Sequence, residues 1–432
     1  MRIIQKNYFN LSFLNVSITL LLIFIFISDW LQDTKFIILP SGTRHIFIWI
    51  IFFIIYLKYG KKIRLPLIYN LSFFLLILYY FSNYIFSISP FYNYILGFFF
   101  TLYFIFIFYF SSNTFTKIKN IKVIFKNFII FIILMSIIPL IQVLILKTTL
   151  RDNVGLFREL GAFGAALNVA VIISLSLYIT IRKKLYIYIA LFLTFIVLMT
   201  ILKKSIASSF LIWLFFLFFE TKSILRIKLL FLISIISISF FTINGASILT
   251  DISKNWDYLE GNGSENHVRL GMYLASFNIA IDYFPLGSGL GTFGSLASIT
   301  NWYSDLYFQY GVAYIGANSP DDVARNNYTL LDTFWPHIIG ELGFIGTIFY
   351  LILWLYPLFK SFKIYKTTID QEIKGLAFFV FLILVIMTWE GFTLYTPEIP
   401  SFVLLHSGLA GLCFYHIKNH KVLPKLQKNN FT

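Results

Sequence analysis

Apolar residues run along this chain in long blocks, and polar residues gather in short joints between them. A helix that crosses a bilayer needs about 20 apolar residues. Blocks of that order lie at 9–30, 45–60, 66–86, 91–111, 127–146, 161–181, 185–202, 205–220, 229–246, 337–359, 376–394 and 398–416. The pattern predicts an all-α polytopic membrane protein of about twelve transmembrane helices. One joint is long. From Ala246 to Pro336 about 90 residues hold nine of the 19 acidic side chains. The expected division is nine spans over 1–245, a large loop over 246–336, three spans over 337–416 and a tail over 417–432. Loops of that size carry function more often than short connections do.

Composition agrees, since 59% of the residues are apolar and 12% charged, too few polar groups to cover a soluble domain. The net charge of +15 invites a nucleic-acid reading, but position along the chain argues against it. With a cytoplasmic N-terminus, 24 of the 34 Lys and Arg residues fall on the inner joints, as the positive-inside rule requires. That orientation puts both termini in the cytoplasm, makes the large loop extracytoplasmic and leaves no nucleic-acid partner to explain. The single cysteine, Cys413, falls in the last span and offers neither a disulfide framework nor a thiolate metal site. The first apolar block, with no small-residue cleavage site behind it, reads as a retained span.

Within the loop, residues 267–284 carry apolar positions at helical spacing and read as an amphipathic helix. "FPLGSGLGTFGS" follows, with Gly289, Gly291 and Gly294 in the spacing G-x-G-x-x-G. A dinucleotide fingerprint needs a strand before it and a helix after it in a βαβ unit, which a membrane protein's loop does not supply. What remains is a proline that ends the helix and glycines that permit a sharp turn or close approach to a ligand, a plain turn being the commoner case. Residues 300–327 are rich in Tyr, Asp and Asn. That composition suits stacking on sugars, and it equally suits an aromatic belt at a membrane interface.

Ten cations fall outside the inner joints, and five of them stand out: Arg151, Arg158, Lys203, Lys204 and Arg269. Singly, each is explained by snorkelling to headgroups. As a group they can converge on one outer cavity and an anion within it.

Several of these stretches together resemble the O-antigen ligase and polymerase superfamily, membrane glycosyltransferases that act on lipid-diphosphate-linked sugars. Arg269, Ala280 and "PLGSGLGTFG" are similar to its R...A...P-x-G-x-G-x-G-x-F arrangement, and "DTFWPHIIGELGFIG" (332–346) to its loop-exit block. "RDNVGLFRELGAFGAALN" (151–168) looks like the G-L-F-R-E-x-G signature of the polymerases, and "LKKSIASS" (202–209) stands where an S-R-x-A turn is found. Where ligases show histidine, nine residues before the glutamate, this chain has Asp332 before Glu341, with His337 out of register, which favours a polymerase.

The resemblance implies a GT-C-like all-α architecture in a bacterial cytoplasmic membrane, with no cofactor and no metal. It implies a polyprenyl-diphosphate-linked oligosaccharide as substrate, membrane lipid around the spans, and a chain-length regulator protein as an open question. Transfer from such a carrier needs cations on the diphosphate and a group that orients the acceptor hydroxyl. Arginine's planar fork suits the first task, giving Arg158 and Arg269, with Arg151 as substitute and Lys203 or Lys204 as an added point charge. Asp332 is the first candidate to take the hydroxyl proton and Glu159 the second, the latter equally readable as an ion-pair partner of Arg158. Gly287, Gly289 and Gly291 form the expected substrate loop. Glu341, beside Gly340 and Gly343, reads as structural or orienting, in close helix packing. Two rivals remain: a ligase that hands finished polymer to lipid A core or protein, and a flippase or transporter.

Overall fold

The computed structural model describes residues 66–114, 118–146, 160–220, 268–299, 302–315, 318–325, 329–331, 333–392 and 403–419. Among the described residues the chain is helical and no strand forms. In chain order the long helices are α1 (Leu67–Phe86), α2 (Phe91–Thr114), α3 (Ile118–Leu146), α4 (Leu160–Ile181), α5 (Leu185–Met199) and α6 (Lys203–Glu220). The loop contributes α7 (Val268–Asp282), α8 (Leu306–Gln309) and α9 (Pro320–Ala324), with single 3₁₀ turns at Leu296–Ser298 and Val312–Tyr314. Then come α10 (Trp335–Thr367), α11 (Gln371–Glu390) and α12 (Leu409–Asn419), the last preceded by a π turn at Leu404–Gly408.

Six of these helices are long and apolar enough to cross a membrane: α1, α2, α3, α4, α10 and α11. The protein is a helical membrane protein. The spans expected at 9–30, 45–60 and 229–246 lie outside the described residues, and α5, at 15 residues, is shorter than a full crossing.

Helix α4 is the centre of the bundle and packs against α3, α5, α6 and α11. Its first half, "LGAFGAALN", is small-residue sequence, and the reason is local. A β-carbon on Gly164 would collide with the Ser205 side chain, and Asn168 Nδ2 donates to the Ser205 carbonyl at 2.9 Å. Small residues let two backbones approach, and a polar side chain then bridges them.

The bundle has two chemically distinct ends. At one, the buried side chain of Glu220 takes Lys374 Nζ at 2.5 Å, Arg182 Nη2 at 3.2 Å and the Tyr365 hydroxyl at 2.8 Å, tying α6, α10, α11 and the α4–α5 joint together. Lys122 pairs with Glu372 beside it. At the other end lies the glycine-rich segment, residues 284–299.

Candidate functional site at the loop end

Helix α10 begins as an ordinary apolar span but breaks at Gly343, whose backbone (φ 61°, ψ −173°) leaves the helical region. A break inside a span exposes carbonyl oxygens that must be satisfied by protein. The glycine-rich segment does so. Ser288 N–H donates to the Gly340 carbonyl and Gly289 N–H to that of Glu341, each at 3.1 Å. Tyr79 of α1 shares its single hydroxyl proton between the Leu342 carbonyl at 2.7 Å and the Pro285 carbonyl at 3.0 Å. Asn83 donates to the Leu286 carbonyl at 2.6 Å and the Glu341 carbonyl at 3.2 Å.

Gly287, Gly289, Gly291 and Gly294 all have positive φ, between 69° and 104°. Two of them show why side chains are excluded. A β-carbon on Gly289 would land within the Ser87 side chain, and one on Gly291 against the Asn93 carbonyl. Gly97 of α2 faces the Gly291 backbone with the same lack of room. Residues 287–295 are buried throughout, so these glycines face protein rather than open space and seat the segment between α1, α2 and α10.

A buried acid locks the far side of the segment. Glu341 Oε1 accepts Phe293 N–H at 3.0 Å and the Ser295 hydroxyl at 2.8 Å, and Oε2 lies 3.2 Å from His337 Nε2. His337 Nε2 is also 3.0 Å from Thr101 Oγ1, which gives its own proton to the Gly97 carbonyl at 2.8 Å. Thr101 can therefore only accept, so the imidazole carries its proton on Nε2, between hydroxyl and carboxylate. Both side chains are fully buried. The arrangement joins α2, α10 and the glycine-rich segment through one carboxylate.

A second buried acid lies at the end of α11. Glu390 Oε1 accepts the Ser208 hydroxyl at 3.2 Å, and Lys204 is the cation whose charge acts on it. Lys204 also reaches the start of α4, where a methyl on Gly161 would meet its Nζ at 3.2 Å. Helix phase separates the two lysines: Lys204 is half-buried against α4 and α11, and Lys203 is exposed.

The two residues after Glu390 belong to the same structure. The Gly391 carbonyl accepts Phe334 N–H at 2.9 Å, and Trp335 Nε1 donates to the Thr388 carbonyl at 3.1 Å. The Phe392 ring stacks on Tyr273 of α7 with centroids 6.3 Å apart. Arg269 is exposed one turn before Tyr273; burial pushes the Tyr273 phenol up and the guanidinium pulls it back. Of the cations singled out by sequence, Lys204 acts on Glu390 at the end of α11, and Arg269 stands one turn of α7 from Tyr273, the ring that meets Phe392.

Arg151, Arg158, Glu159 and Asp332 lie outside the described residues. Glu159 immediately precedes α4, and Leu331 and Thr333, either side of Asp332, are buried. Among the described residues no group of three or more His, Cys, Asp or Glu side chains converges as a metal site would. Sequence reading did not single out Glu390, because the residues that give it meaning, Lys204 and Ser208, lie about 180 positions earlier in the chain. The one available signal was a carboxylate at the end of an apolar span, where charge needs a partner. No protein-family model matches this chain, and no curated protein matches it.

Proposed function

We propose that the protein is a membrane glycosyltransferase that joins polyprenyl-diphosphate-linked oligosaccharide units into O-antigen or capsular polysaccharide. The loop end faces the exterior of a bacterial cytoplasmic membrane, and both termini lie in the cytoplasm. The observation that carries this reading is the meeting of α4, α6, α7 and the end of α11, with Lys204 against Gly161 beside the Ser208–Glu390 bond and Arg269 one turn from the Tyr273 ring that stacks on Phe392. The chain segment holding Arg158 and Glu159 runs directly into the α4 turn that Lys204 touches. Fixed cations aimed where negative charge develops are usually the largest catalytic contribution.

In the reaction, the acceptor hydroxyl oxygen bonds to the anomeric carbon of the growing chain. The bond from that carbon to the diphosphate oxygen breaks, and the polyprenyl diphosphate leaves with the electron pair towards the cations. The hydroxyl proton passes to a carboxylate, Asp332 in first place. No nucleotide and no metal enters this scheme.

The test is polymer formation in cells that carry single variants. Arg269→Ala, Arg158→Ala and Lys204→Ala abolish polymer while the protein still inserts, and lysine at the arginine sites restores part of it. Normal-length polymer from Arg269→Ala or Arg158→Ala overturns the reading. Deletion of the gene separates the rivals: lipid A core capped by one repeat unit marks a polymerase, and finished polymer held on carrier lipid marks a ligase. Loss of lipid-linked units from the outer leaflet marks a flippase.

A further inference from the structure

A run of aromatic rings leads from the glycine-rich segment to the surface of the loop. Phe293 and Tyr307 are buried with ring centroids 5.3 Å apart, Tyr307 and Tyr303 follow at 5.0 Å, Tyr303 and Phe308 at 5.4 Å, and Phe308 and Tyr314 at 6.0 Å. The inner end is pinned, because the Tyr307 hydroxyl accepts Gly294 N–H at 2.8 Å and meets Ser298 Oγ at 2.6 Å. The middle is pinned as well, since the Tyr303 hydroxyl donates to the Asn318 carbonyl at 2.5 Å. The outer pair is open: Phe308 is 41% exposed and Tyr314 75%.

We infer that the Phe308–Tyr314 pair is a saccharide subsite, holding a sugar ring of the oligosaccharide in fixed register with the glycine-rich segment. The inference rests on the glycosyltransferase reading. The two rings stand edge to face at 63°, so a pyranose can lay its C–H face on one ring and abut the other, and exposed Asp305 and Gln309 beside them supply hydrogen-bonding partners for its hydroxyls.

The surroundings favour a sugar over the bilayer surface. Residues 302–315 contain no Lys or Arg and do contain Asp305, so they offer nothing to headgroup phosphates. Helix α7 has its own outward apolar stripe, Leu270, Leu274, Phe277 and Ile281. The aromatic unit docks on another side of α7: Tyr310 donates to Asp282 at 2.7 Å, and Ile315 Cδ1 fills the space over Gly271. At 3.6 residues per turn, those two positions lie about 100° around the helix from the stripe.

The experiment uses the full chain in detergent and, as probe, the water-soluble oligosaccharide freed by mild acid from lipid-linked units of the source cells. Saturation-transfer NMR and calorimetry read its binding. The wild type is expected to bind, Tyr314→Phe to keep most of the affinity, and the double variant Phe308→Ala, Tyr314→Ala to lose roughly ten- to a hundredfold. Dye labelling of Cys413 on heating verifies that each variant is folded. No binding by the wild type, or wild-type affinity in the double variant, overturns the subsite. So does quenching of the added fluorescence of Tyr314→Trp by brominated acyl chains in phosphatidylglycerol–phosphatidylethanolamine vesicles, which would put the pair in the bilayer. If the subsite fails while Arg269→Ala still abolishes polymer, the glycosyltransferase reading stands. If Arg269→Ala makes normal polymer, that reading fails whatever the NMR shows.

Discussion

Replacing Glu341 by alanine removes one buried carboxylate and takes a partner from three groups. The Phe293 N–H loses its acceptor, as does the Ser295 hydroxyl, and the protonated Nε2 of His337 loses its anionic neighbour. An unsatisfied buried donor costs about 1–3 kcal/mol. The serine hydroxyl can rotate to another acceptor and His337 Nε2 keeps Thr101, so the expected total is about 2–4 kcal/mol, one stranded amide together with the cavity left by the side chain. Glu341→Gln keeps an oxygen for Phe293 N–H and the Ser295 hydroxyl but turns its amide N–H toward the protonated Nε2 of His337, donor against donor, and should cost about 1–2 kcal/mol. Cys413, the single cysteine of the chain and buried, is a built-in reporter, because a thiol-reactive dye labels it only once the bundle opens. The alanine variant should unmask Cys413 at a temperature lower by roughly 5 °C or more. A loss of about 3 kcal/mol also raises local opening by roughly a hundredfold, seen as faster hydrogen exchange at the Ser288 and Gly289 amides. Wild-type unmasking temperature together with unchanged exchange at those amides would refute the carboxylate latch.

Three further outcomes follow from the geometry. Gly289→Ala combines a φ of 104° with a collision at Ser87 and should cost several kcal/mol, whereas Gly311→Ala, with a φ of 75° and nothing within 4 Å of its would-be β-carbon, should cost about 1–2 kcal/mol. Cys413 unmasking compares them, and equal shifts would contradict the packing argument. Glu220→Gln leaves Lys374 and Arg182 without their buried anion; because Arg182 is 42% exposed and can turn to water, about 1–3 kcal/mol is expected. Hydrogen bonds from the Ser319 hydroxyl and amide hold the Asp322 carboxyl below its usual 3.8. A depressed carboxyl stabilises the fold above its unfolded value and loses that contribution as pH falls through the lowered one, so the α9 cap should open only on acidification below the usual carboxyl value. Hydrogen exchange of residues 319–325 against pH checks the direction.

The long spans were legible because a bilayer imposes length and apolarity on each one separately. The glycine cluster was legible as a turn, but its partner was not. The block at 337–359 reads as one uninterrupted span, and nothing in it marks Gly343 as a break until the carbonyls it frees are seen to meet Ser288 and Gly289. Lys203 and Lys204 were indistinguishable as neighbours in sequence, and only the phase of α6 turns one inward and the other out. Glu390 escaped notice for a related reason, since long-range pairing leaves no local pattern. Propensity and periodicity report on neighbours, whereas a site of this kind is assembled from residues far apart in the chain.

The break in α10 has a bearing on how such proteins diverge. Its unpaired carbonyls are completed from outside, by residues 288–289 and by Tyr79 and Asn83 on α1. A graft that carried the loop alone into another scaffold would leave those oxygens without donors. The heritable unit is therefore larger than the loop: stretches near 79–97, 284–299 and 335–347 must travel together or not at all.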